Sequence, residues 1–375
     1  MSLKSSFIQH LLQKYPKLTA EQLETYVSEQ LISPFQVPIK KSIISDIKNE
    51  IEAYWKLRSF SMDQLSAKFD SLNLKKANNY SACMSYDFHL NENNQLELIE
   101  INTNAAFLAL GLELYSFWKI KNSAGDFDTQ DLVNMFLHEM QLAGSSSINP
   151  SIAILDENPE QQRLYLEFLV FKYIFENHNI KSDILNINQS ELLSEYSLVY
   201  NRYTDFYLQD SKSQVMKNLY NANQIHLSPN PWEYFLLADK QRLIDWNQQT
   251  EIAKPTSLLP TYDLAAELPE KIWAERKNLF FKPKNSFGGK QAYRGASISR
   301  KAFDDVCTDG FIAQKISAPA ELEFILNADP IKLKYDLRCY AYQDKLQLIV
   351  ARLYQGQTTN LKTTGGGFAC IVAVD

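Results

Sequence analysis

Residues 86–104 read YDFHLNENNQLELIEINTN, and the expected architecture is built around this stretch. Apolar and polar side chains alternate on both sides of NENNQ, and a period of two predicts two β-strands. Asn93 and Asn94 tolerate the left-handed backbone of a tight turn, so we predict a β-hairpin. With the turn centred on these two residues, Asp87 pairs with Glu100 because both lie equally far from the centre.

Three oxygen-bearing side chains are therefore expected on one face of the hairpin. Asn102 joins Asp87 and Glu100 through the two-residue period of a strand. Two carboxylates and one amide form a ligand set that suits Mg²⁺ held partly by protein and partly by phosphate oxygens. The alternative interpretation is a solvated outer face on which this register is accidental.

Composition restricts the class of protein. The 375 residues and 45% hydrophobic content allow two or three subdomains. Lys and Arg total 38 against 44 for Asp and Glu, and the net charge of −6 argues against nucleic-acid and anionic-membrane partners. We expect a cytoplasmic protein, because the sequence has neither a signal-peptide pattern nor a run of about 18 apolar residues. Its four cysteines are widely spaced, as is typical of a reducing compartment.

Helical patterns flank the hairpin on both sides. Apolar residues at every fourth position between 43 and 55 predict a helix that packs one face into a core. Thr129 is expected to cap a second helix, through DLVNMFLHEMQLA, which Gly144 ends. Neither pattern suggests more than packing.

The middle of the chain has a different pattern. SIAILD, an apolar helix from Pro159 to about Asn177, SDILNI and SLVYNR predict a β-α-β-β unit with a parallel, Rossmann-like core over residues 151–202. We therefore expect three domains: residues 1–145 with the N-terminal helices and the hairpin, residues 146–228 with the Rossmann-like unit, and residues 229–375, which are rich in strands.

Two glycine-rich loops in the last third indicate a ligand site. In KPKNSFGGKQAYRG, Lys282 and Lys284 accompany Gly288 and Gly289, whose bare N–H groups can cradle triphosphate oxygens. The loop matches neither the Walker A pattern nor GxGxxG, and an ordinary surface hairpin is the alternative. The second loop, TTNLKTTGGGFA over residues 358–369, is interpreted as a mobile lid over the ligand.

Arginines on two later strands extend this site. Asp336 and Arg338 share a strand face in DLRCYAY, and Arg352 follows in ARLYQ. Arg suits bidentate phosphate recognition, but exposed strand arginines often serve solubility alone. We favour solubility for Arg352 and leave both roles open for Arg338. The five histidines have no ligand spacing, and no Ser/His/Asp or Cys/His arrangement is recognised.

Taken together, the hairpin stretch, FFKPKNSFGG, GFIAQKIS, DLRCYAY and TTNLKTTGGG resemble the ATP-grasp superfamily of ATP-dependent carboxylate-amine ligases. In that family an Asp and, thirteen residues later, a Glu-x-Asn bind the Mg²⁺ ions of ATP, and Asp87, Glu100 and Asn102 stand at that spacing. The hairpin here precedes the phosphate lysines, so the order looks circularly permuted, as in eukaryotic-type glutathione synthetases and glutathionylspermidine synthetase-like ligases. The fold that the resemblance implies is α/β (α+β), a permuted ATP-grasp fold with an inserted Rossmann-like substrate domain.

The resemblance also implies a role for each matching residue. Catalytic roles fall to Lys282, to Arg338 as a phosphate or acyl-phosphate arginine, and to Arg202, which matches a substrate-carboxylate arginine. Asp87, Glu100 and Asn102 are the implied Mg²⁺ ligands. The residues implied in ATP binding are Lys240, Lys282 and Lys284, the loop glycines Gly288 and Gly289, the hinge residues Gln314, Lys315 and Ile316, and the closing-loop residues Asn360, Lys362, Gly365 and Gly366.

The function that the resemblance implies is ATP- and Mg²⁺-dependent formation of an amide-type bond between a small-molecule carboxylate and an amine, through an acyl phosphate. Phosphoryl transfer to another acceptor is an alternative, because the same ATP site serves it. A nucleotide-binding protein without turnover is another, because Gln314 stands where an acid is common and Ser286 where those enzymes have a metal-binding Glu. The sequence names neither substrate and leaves the oligomeric state open, a homodimer included.

Overall fold

Three β-sheets form the framework in the computed structural model, which describes residues 2–145, 148–285, 291–308, 310–357 and 359–375. In chain order the strands are β1 (Val37–Lys40), β2 (Met84–Leu90), β3 (Leu96–Asn102), β4 (Ser151–Asp156), β5 (Lys181–Asn186), β6 (Leu198–Asn201), β7 (Leu227–Ser228), β8 (Thr261–Asp263), β9 (Leu279–Pro283), β10 (Tyr293–Arg294), β11 (Phe311–Lys315), β12 (Ala320–Leu326), β13 (Asp329–Tyr342), β14 (Lys345–Tyr354) and β15 (Gly367–Val374).

The helices pack around these sheets. In chain order they are α1 (Leu3–Lys14), α2 (Ala20–Tyr26), α3 (Lys41–Asp70), α4 (Leu108–Trp118), α5 (Thr129–Leu142), α6 (Tyr165–Asn177), α7 (Gln214–Asn221), α8 (Pro231–Glu233), α9 (Gln241–Gln248), α10 (Pro269–Glu275) and α11 (Arg300–Val306). Among the described residues, no helix combines the length and the apolar character that a membrane crossing requires.

The largest sheet joins the two ends of the chain. Its strand order is β1-β15-β14-β13-β2-β3, with β12 paired to β13. The pairing is antiparallel except between β1 and β15. The predicted hairpin, β2 and β3, therefore lies directly beside the strand that carries DLRCYAY, although some 250 residues separate Asp87 from Arg338 in sequence.

Asp87 has its predicted partner in the hairpin, but the pairs nearer the turn are shifted from the predicted register. Asp87 pairs with Glu100, as expected, whereas Phe88 pairs with Leu98 and Leu90 with Leu96. The pairs nearest the turn are thus centred on Asn93 alone, and an irregularity that leaves Ile99 unpaired restores the predicted partner of Asp87. The positive φ of 59° at Asn94 agrees with the left-handed turn residue that the sequence predicts.

The other two sheets have four strands each. The antiparallel sheet β10-β9-β11-β8 carries the lysine strand LFFKP and the hinge strand FIAQK. The sheet β5-β4-β6-β7 is parallel throughout, which confirms the predicted β-α-β-β unit with a parallel core. Its helix α6 begins at Tyr165, later than predicted, because a short 3₁₀ turn occupies Pro159–Gln161.

Helix α3 covers one face of the large sheet. Ile43, Ile47 and Ile51 are buried there in one cluster with side chains of β2, β3 and β13, as the four-residue period predicts. Because side chains alternate along a strand, Asp87, Glu100 and Arg338 belong to the opposite face. The helix thus fixes which face of the sheet is left for a site.

Two local predictions need correction. The cap of α5 is Asp128 rather than Thr129, since the Asp128 side chain accepts from the Asp131 N–H at 3.0 Å and the two residues form a capping box. Strand β1, which precedes the helix predicted from residues 43 to 55, was not predicted, because a four-residue edge strand shows no usable alternation.

Candidate functional site

A cavity of about 940 Å³ opens where the three sheets meet. Its described wall contains nine Lys and Arg side chains and five Asp and Glu side chains, although the whole chain carries a net charge of −6. The cations are Arg163, Arg202, Lys240, Lys282, Arg294, Lys315, Lys334, Arg338 and Arg352, and the acids are Glu100, Asp156, Glu157, Glu321 and Asp336. Such a concentration of positive charge suits an anionic ligand.

The cavity brings together most of the predicted site residues, though not all of them. Those that line it are Glu100, Asn102, Arg202, Lys240, Lys282, Gln314, Lys315, Ile316, Arg338 and Asn360. Asp87, Lys284, Lys362, Gly365 and Gly366 lie outside its lining. Gly288 and Gly289, with Ser286, lie outside the described residues.

Glu100 and Asn102 are the metal-binding candidates that face the cavity. The Asn102 amide lies 3.4 Å from Glu100 Oε1, and Lys240 Nζ lies 3.8 Å from Glu100 Oε2. A carboxylate and an amide oxygen side by side on a strand, with room beside them for phosphate and water oxygens, fit the hard, partly hydrated coordination that Mg²⁺ prefers. These two side chains fit a Mg²⁺ ion on the chemistry of their donor atoms.

Asp87 is held differently from its two predicted partners. Its side chain is 1% exposed, and Arg338 binds it in a bidentate pair, Nε to Oδ1 at 3.0 Å and a terminal nitrogen to Oδ2 at 2.7 Å. A terminal nitrogen of Arg352 reaches Oδ2 at 2.8 Å, and Ser85 Oγ donates to Oδ1 at 3.1 Å. Burial alone would raise the pKa of Asp87, but the two guanidinium groups outweigh it and lower this pKa to about 2.

Lys282 is a buried cation of the cavity wall. Its Nζ donates to the Ile99 carbonyl at 3.0 Å and to Gln314 Oε1 at 2.7 Å. Burial lowers the pKa of Lys282 to about 8; Glu100 opposes this shift and Lys240 reinforces it. No acid neutralises Lys282 at the position of Gln314, so the positive charge stays available for an anion.

Backbone N–H groups at the end of β11 donate hydrogen bonds within the protein. The Lys315 N–H donates to Pro260 O and the Ile316 N–H to Asn278 O, both at 2.8 Å. These two N–H groups are therefore engaged in hydrogen bonds within the protein. The cavity lining continues along the chain through Ser317 to Pro319. The Gln314 side chain contacts Lys282 and Leu98 O rather than solvent.

Arg202 and Asp156 form the opposite end of the cavity. Asp156 ends β4 and Arg202 follows the neighbouring parallel strand β6, so both lie at the carboxyl edge of the sheet, where ligands bind in folds of this kind. Arg202 donates hydrogen bonds to Asn104 Oδ1 and, at 3.2 Å, to Ala105 O, whereas its buried Nε has no partner within the part of the chain that the structure describes. Burial raises the pKa of Asp156 to about 6, with Arg202 opposing the shift. This end has polar groups with unused capacity.

The glycine-rich stretch before β15 has a packing role that the mobile-lid interpretation missed. A Cβ on Gly366 would lie 2.6 Å from Leu353 O, and one on Gly367 would lie 2.6 Å from Gln30 O. Ser33 Oγ also donates to Gly365 O at 2.8 Å. These glycines let backbone segments approach closely, so packing against β14 and against the segment around Gln30 accounts for them.

The preceding part of that loop does reach the cavity. Asn360 and Leu361 line it, and an Arg163 terminal nitrogen donates to Leu361 O at 2.7 Å. Asn360 Oδ1 accepts from the Lys362 N–H at 3.0 Å, so this side chain also shapes the loop. Through Arg163, the loop before β15 contacts the segment that leads into α6. Lys284, another predicted ATP-binding residue, pairs with Asp263, with 3.5 Å between Nζ and Oδ1.

Sequence reasoning missed several wall residues. Asp156 ends a buried parallel strand, and the rule that ligands bind at the carboxyl edge of such sheets could have found it. Arg352 was interpreted as solubilising, yet its side chain is only 15% exposed and binds two carboxylates. No local pattern distinguishes it, because both partners become visible only once β14, β13 and β2 are paired.

Comparison with known proteins gives a fold but no family. No protein-family model matches the chain, and no curated protein matches it in sequence. A glutathione synthetase-like effector from Globodera pallida, solved in its apo form, is similar with a TM-score of 0.55 and 12% identity, over 92% of this chain and 90% of that chain. A candidate γ-glutamylcysteine synthetase from Methylobacillus flagellatus covers 86% and 85% at 10% identity, and its TM-score of 0.44 carries no argument. The protein thus has a glutathione synthetase-like, mixed α/β fold.

Proposed function

We propose that the protein is an ATP- and Mg²⁺-dependent carboxylate-amine ligase that forms an amide-type bond through an acyl phosphate. The observation that carries this proposal is the composition of the cavity wall, where cationic side chains from two sheets surround Glu100 and Asn102. A nucleoside triphosphate with a divalent cation matches such a wall in charge and in size. The glutathione synthetase-like fold supports the ligase class.

The order of the site segments supports an ATP-grasp fold that is circularly permuted. The hairpin comes first along the chain, then the lysine strand β9, the hinge strand β11 and the arginine strands β13 and β14. We propose that the parallel sheet is the inserted substrate domain and that residues 229–375 with the hairpin hold the nucleotide. Its substrates in this proposal are a small-molecule carboxylate and an amine.

Each wall residue has a role in this proposal. Lys240, Lys282 and Arg338 would bind and stabilise phosphate oxygens. Glu100 and Asn102 would hold Mg²⁺, which supplies charge neutralisation to the β and γ phosphates when it is bound. Arg202 would bind a substrate carboxylate, because it lines the cavity and its buried Nε has no hydrogen-bond partner among the described residues.

The proposed reaction has two steps, formation of an acyl phosphate and its conversion to an amide. A carboxylate oxygen of the first substrate bonds to the γ-phosphorus while the bond from that phosphorus to ADP breaks. The amine then bonds to the carbonyl carbon, inorganic phosphate leaves, and the nitrogen releases a proton. No side-chain nucleophile is required, so the chain contributes positioning, charge stabilisation and exclusion of water from the acyl phosphate.

A second candidate function is nucleotide binding without turnover. The specific observation is Gln314, whose neutral amide contacts Lys282 at 2.7 Å where an acid is common in the resembling enzymes. Phosphoryl transfer to a hydroxyl uses the same ATP site and is separated from ligation by its product. Both alternatives use the same cavity, so the experiment that tests the ligase proposal also tests them.

An ADP-release screen over amino acids, γ-glutamyl peptides and polyamines, with mass detection of the product, tests the proposal. A ligase gives ADP, phosphate and a product whose mass is the sum of two substrates minus one water. A stable phosphorylated product would instead identify a phosphotransferase, and Mg²⁺–ATP binding without ADP release would identify a binding protein.

A matched pair of variants checks that the cavity is the site. Glu100→Gln is expected to lose turnover and the Mg²⁺-dependent part of ATP binding. Glu97→Gln makes the same chemical change on the same strand, at a residue that contacts Asn91 and lies outside the cavity lining, and should retain both. Equal losses in the two variants would place the activity elsewhere.

A further inference from the structure

Asp87 stands at the sequence position predicted for a metal ligand, but its carboxylate is bound by two arginines. Five donor groups point at its carboxylate: two from Arg338, one from Arg352, one from Ser85 and the Asn102 amide at 3.4 Å. A carboxylate offers about four lone-pair directions, so these contacts use its acceptor capacity. Nothing is left on Asp87 for a metal ion while both arginines are in place.

The pairing continues onto the neighbouring strands. Arg352 Nε donates to Asp336 Oδ1 at 2.6 Å, and Asp336 Oδ2 accepts from Thr359 Oγ1 at 2.5 Å. Two buried aspartates and two largely buried arginines therefore alternate across β2, β13 and β14. Both guanidinium groups line the cavity although their carboxylate partner Asp87 does not.

We infer that Asp87 is a positioning residue that fixes Arg338 and Arg352 at the cavity, and that Glu100 and Asn102 are the protein's metal ligands without it. The inference rests on the proposed function, because it assigns the arginines to the phosphates of ATP. A divalent ion on Asp87 would lie beside two guanidinium groups and be repelled by both. Arg352 thereby becomes a second phosphate-binding arginine, held by Asp336 and Asp87 together.

The decisive measurement uses the unaltered protein with Mn²⁺ and ATP in the absence of other substrates. Two samples carry ¹³C at the side-chain carboxyl of either all aspartates or all glutamates, and pulsed electron paramagnetic resonance detects a ¹³C nucleus whose carboxylate binds Mn²⁺. We expect a coupling in the glutamate-labelled sample, from Glu100, and none in the aspartate-labelled sample. A coupling from aspartate overturns the inference, whichever aspartate gives it.

Variants then test whether Asp87 acts through the arginines. Asp87→Asn is expected to weaken ATP binding in EDTA at least tenfold, while the factor by which Mn²⁺ improves binding changes less than twofold. Glu100→Gln should do the reverse. In an Arg338→Gln/Arg352→Gln background, Asp87→Asn should have less than a threefold further effect, because a positioning residue has nothing left to position.

The outcomes separate this inference from the proposed function. If the unaltered protein binds neither ATP nor Mn²⁺–ATP, the proposed function fails and the inference fails with it. If it binds both, but Asp87→Asn abolishes the Mn²⁺-dependent gain as Glu100→Gln does, the inference alone is overturned. Should Asp87→Asn not fold, the labelling measurement needs no variant and gives the answer.

Discussion

Lys282 offers a test of the site's electrostatics that does not depend on knowing the substrates. Its Nζ donates to the Ile99 carbonyl and to the Gln314 amide oxygen, and the residue is only 9% exposed. Burial lowers its pKa from 10.5 to about 8, with Glu100 opposing and Lys240 reinforcing the shift. Lys282 is therefore expected to titrate near pH 8.

The shift has a cost that an anionic ligand removes. A pKa lowered from 10.5 to about 8 means that the protein destabilises the charged amine, relative to the neutral amine, by about 3 kcal/mol. Because the folded state binds fewer protons than the unfolded state between pH 8 and 10.5, the contribution of Lys282 makes the free energy of unfolding rise with pH in that window. Phosphate oxygens stabilise the charged amine and raise its pKa again.

Proton uptake on binding ATP follows from these values. If the phosphates bring the pKa of Lys282 back to about 10, binding takes up about 0.1 proton at pH 7 and about 0.8 proton at pH 9. Gln314→Glu places a carboxylate beside the amine, which should raise the pKa in the unliganded protein by about 1–2 units and reduce the uptake at pH 9. The variant should also bind ATP more weakly at pH 7, because the wall loses one net positive charge.

Two measurements check this reasoning. Carbon-13 NMR of lysine side chains follows the titration directly, and Lys282→Met identifies the signal. Calorimetry of ATP binding in buffers of different ionisation enthalpy gives the proton uptake at each pH. If the Lys282 signal titrates above pH 10, or if no proton is taken up at pH 9, the assignment of Lys282 as a buried, uncompensated cation is wrong.

Three further predictions concern stability and are read from urea unfolding. Gly367→Ala should cost about 3 kcal/mol, because φ is 111° and the new Cβ meets backbone atoms, whereas Gly356→Ala, at φ 99° in open space, should cost about 1 kcal/mol. Arg58→Met should cost about 3–5 kcal/mol by leaving the fully buried Glu233 without its ion pair; an equal cost in a double variant with Glu233→Gln would contradict this. The folded pKa of Asp156, about 6, lies above its unfolded value of 3.8, so its contribution to the free energy of unfolding falls by about 3 kcal/mol as the pH rises from 4 to 6. Asp156→Asn should remove this pH-dependent loss.

Local patterns were sufficient for much of the fold. The period-two alternation predicted β2 and β3, and the four-residue period of α3 predicted its buried face. The register of Asp87 with Glu100 was predicted from a turn centre that the structure moves by half a residue, and the irregularity at Ile99 compensates. A β-bulge leaves no signature in a single sequence, so the agreement depended on a feature that the reasoning did not include.

Other parts of the site depend on contacts that no local pattern records. Gly366 and Gly367 suggested a lid because a run of glycines is typical of loops that approach a ligand, but their neighbours are the Leu353 and Gln30 carbonyls. Gln30 lies more than 300 residues away along the chain. Close approach of two backbones and close approach to a ligand demand the same residue, so the sequence alone could not separate them.

The spacing of Asp87, Glu100 and Asn102 shows the limit of motif reasoning most clearly. A spacing within a hairpin fixes which side chains are neighbours on one sheet face, and that part of the prediction agrees with the structure. It does not fix which strand pairs with the other edge of β2. Because β13 brings Arg338 opposite Asp87, and β14 brings Arg352 within reach, the carboxylate is neutralised by residues some 250 positions away before any ligand arrives. Beside an apolar strand the same three residues would leave all three side chains unpaired, whereas beside β13 only Glu100 and Asn102 face the cavity and Asp87 pairs with two arginines.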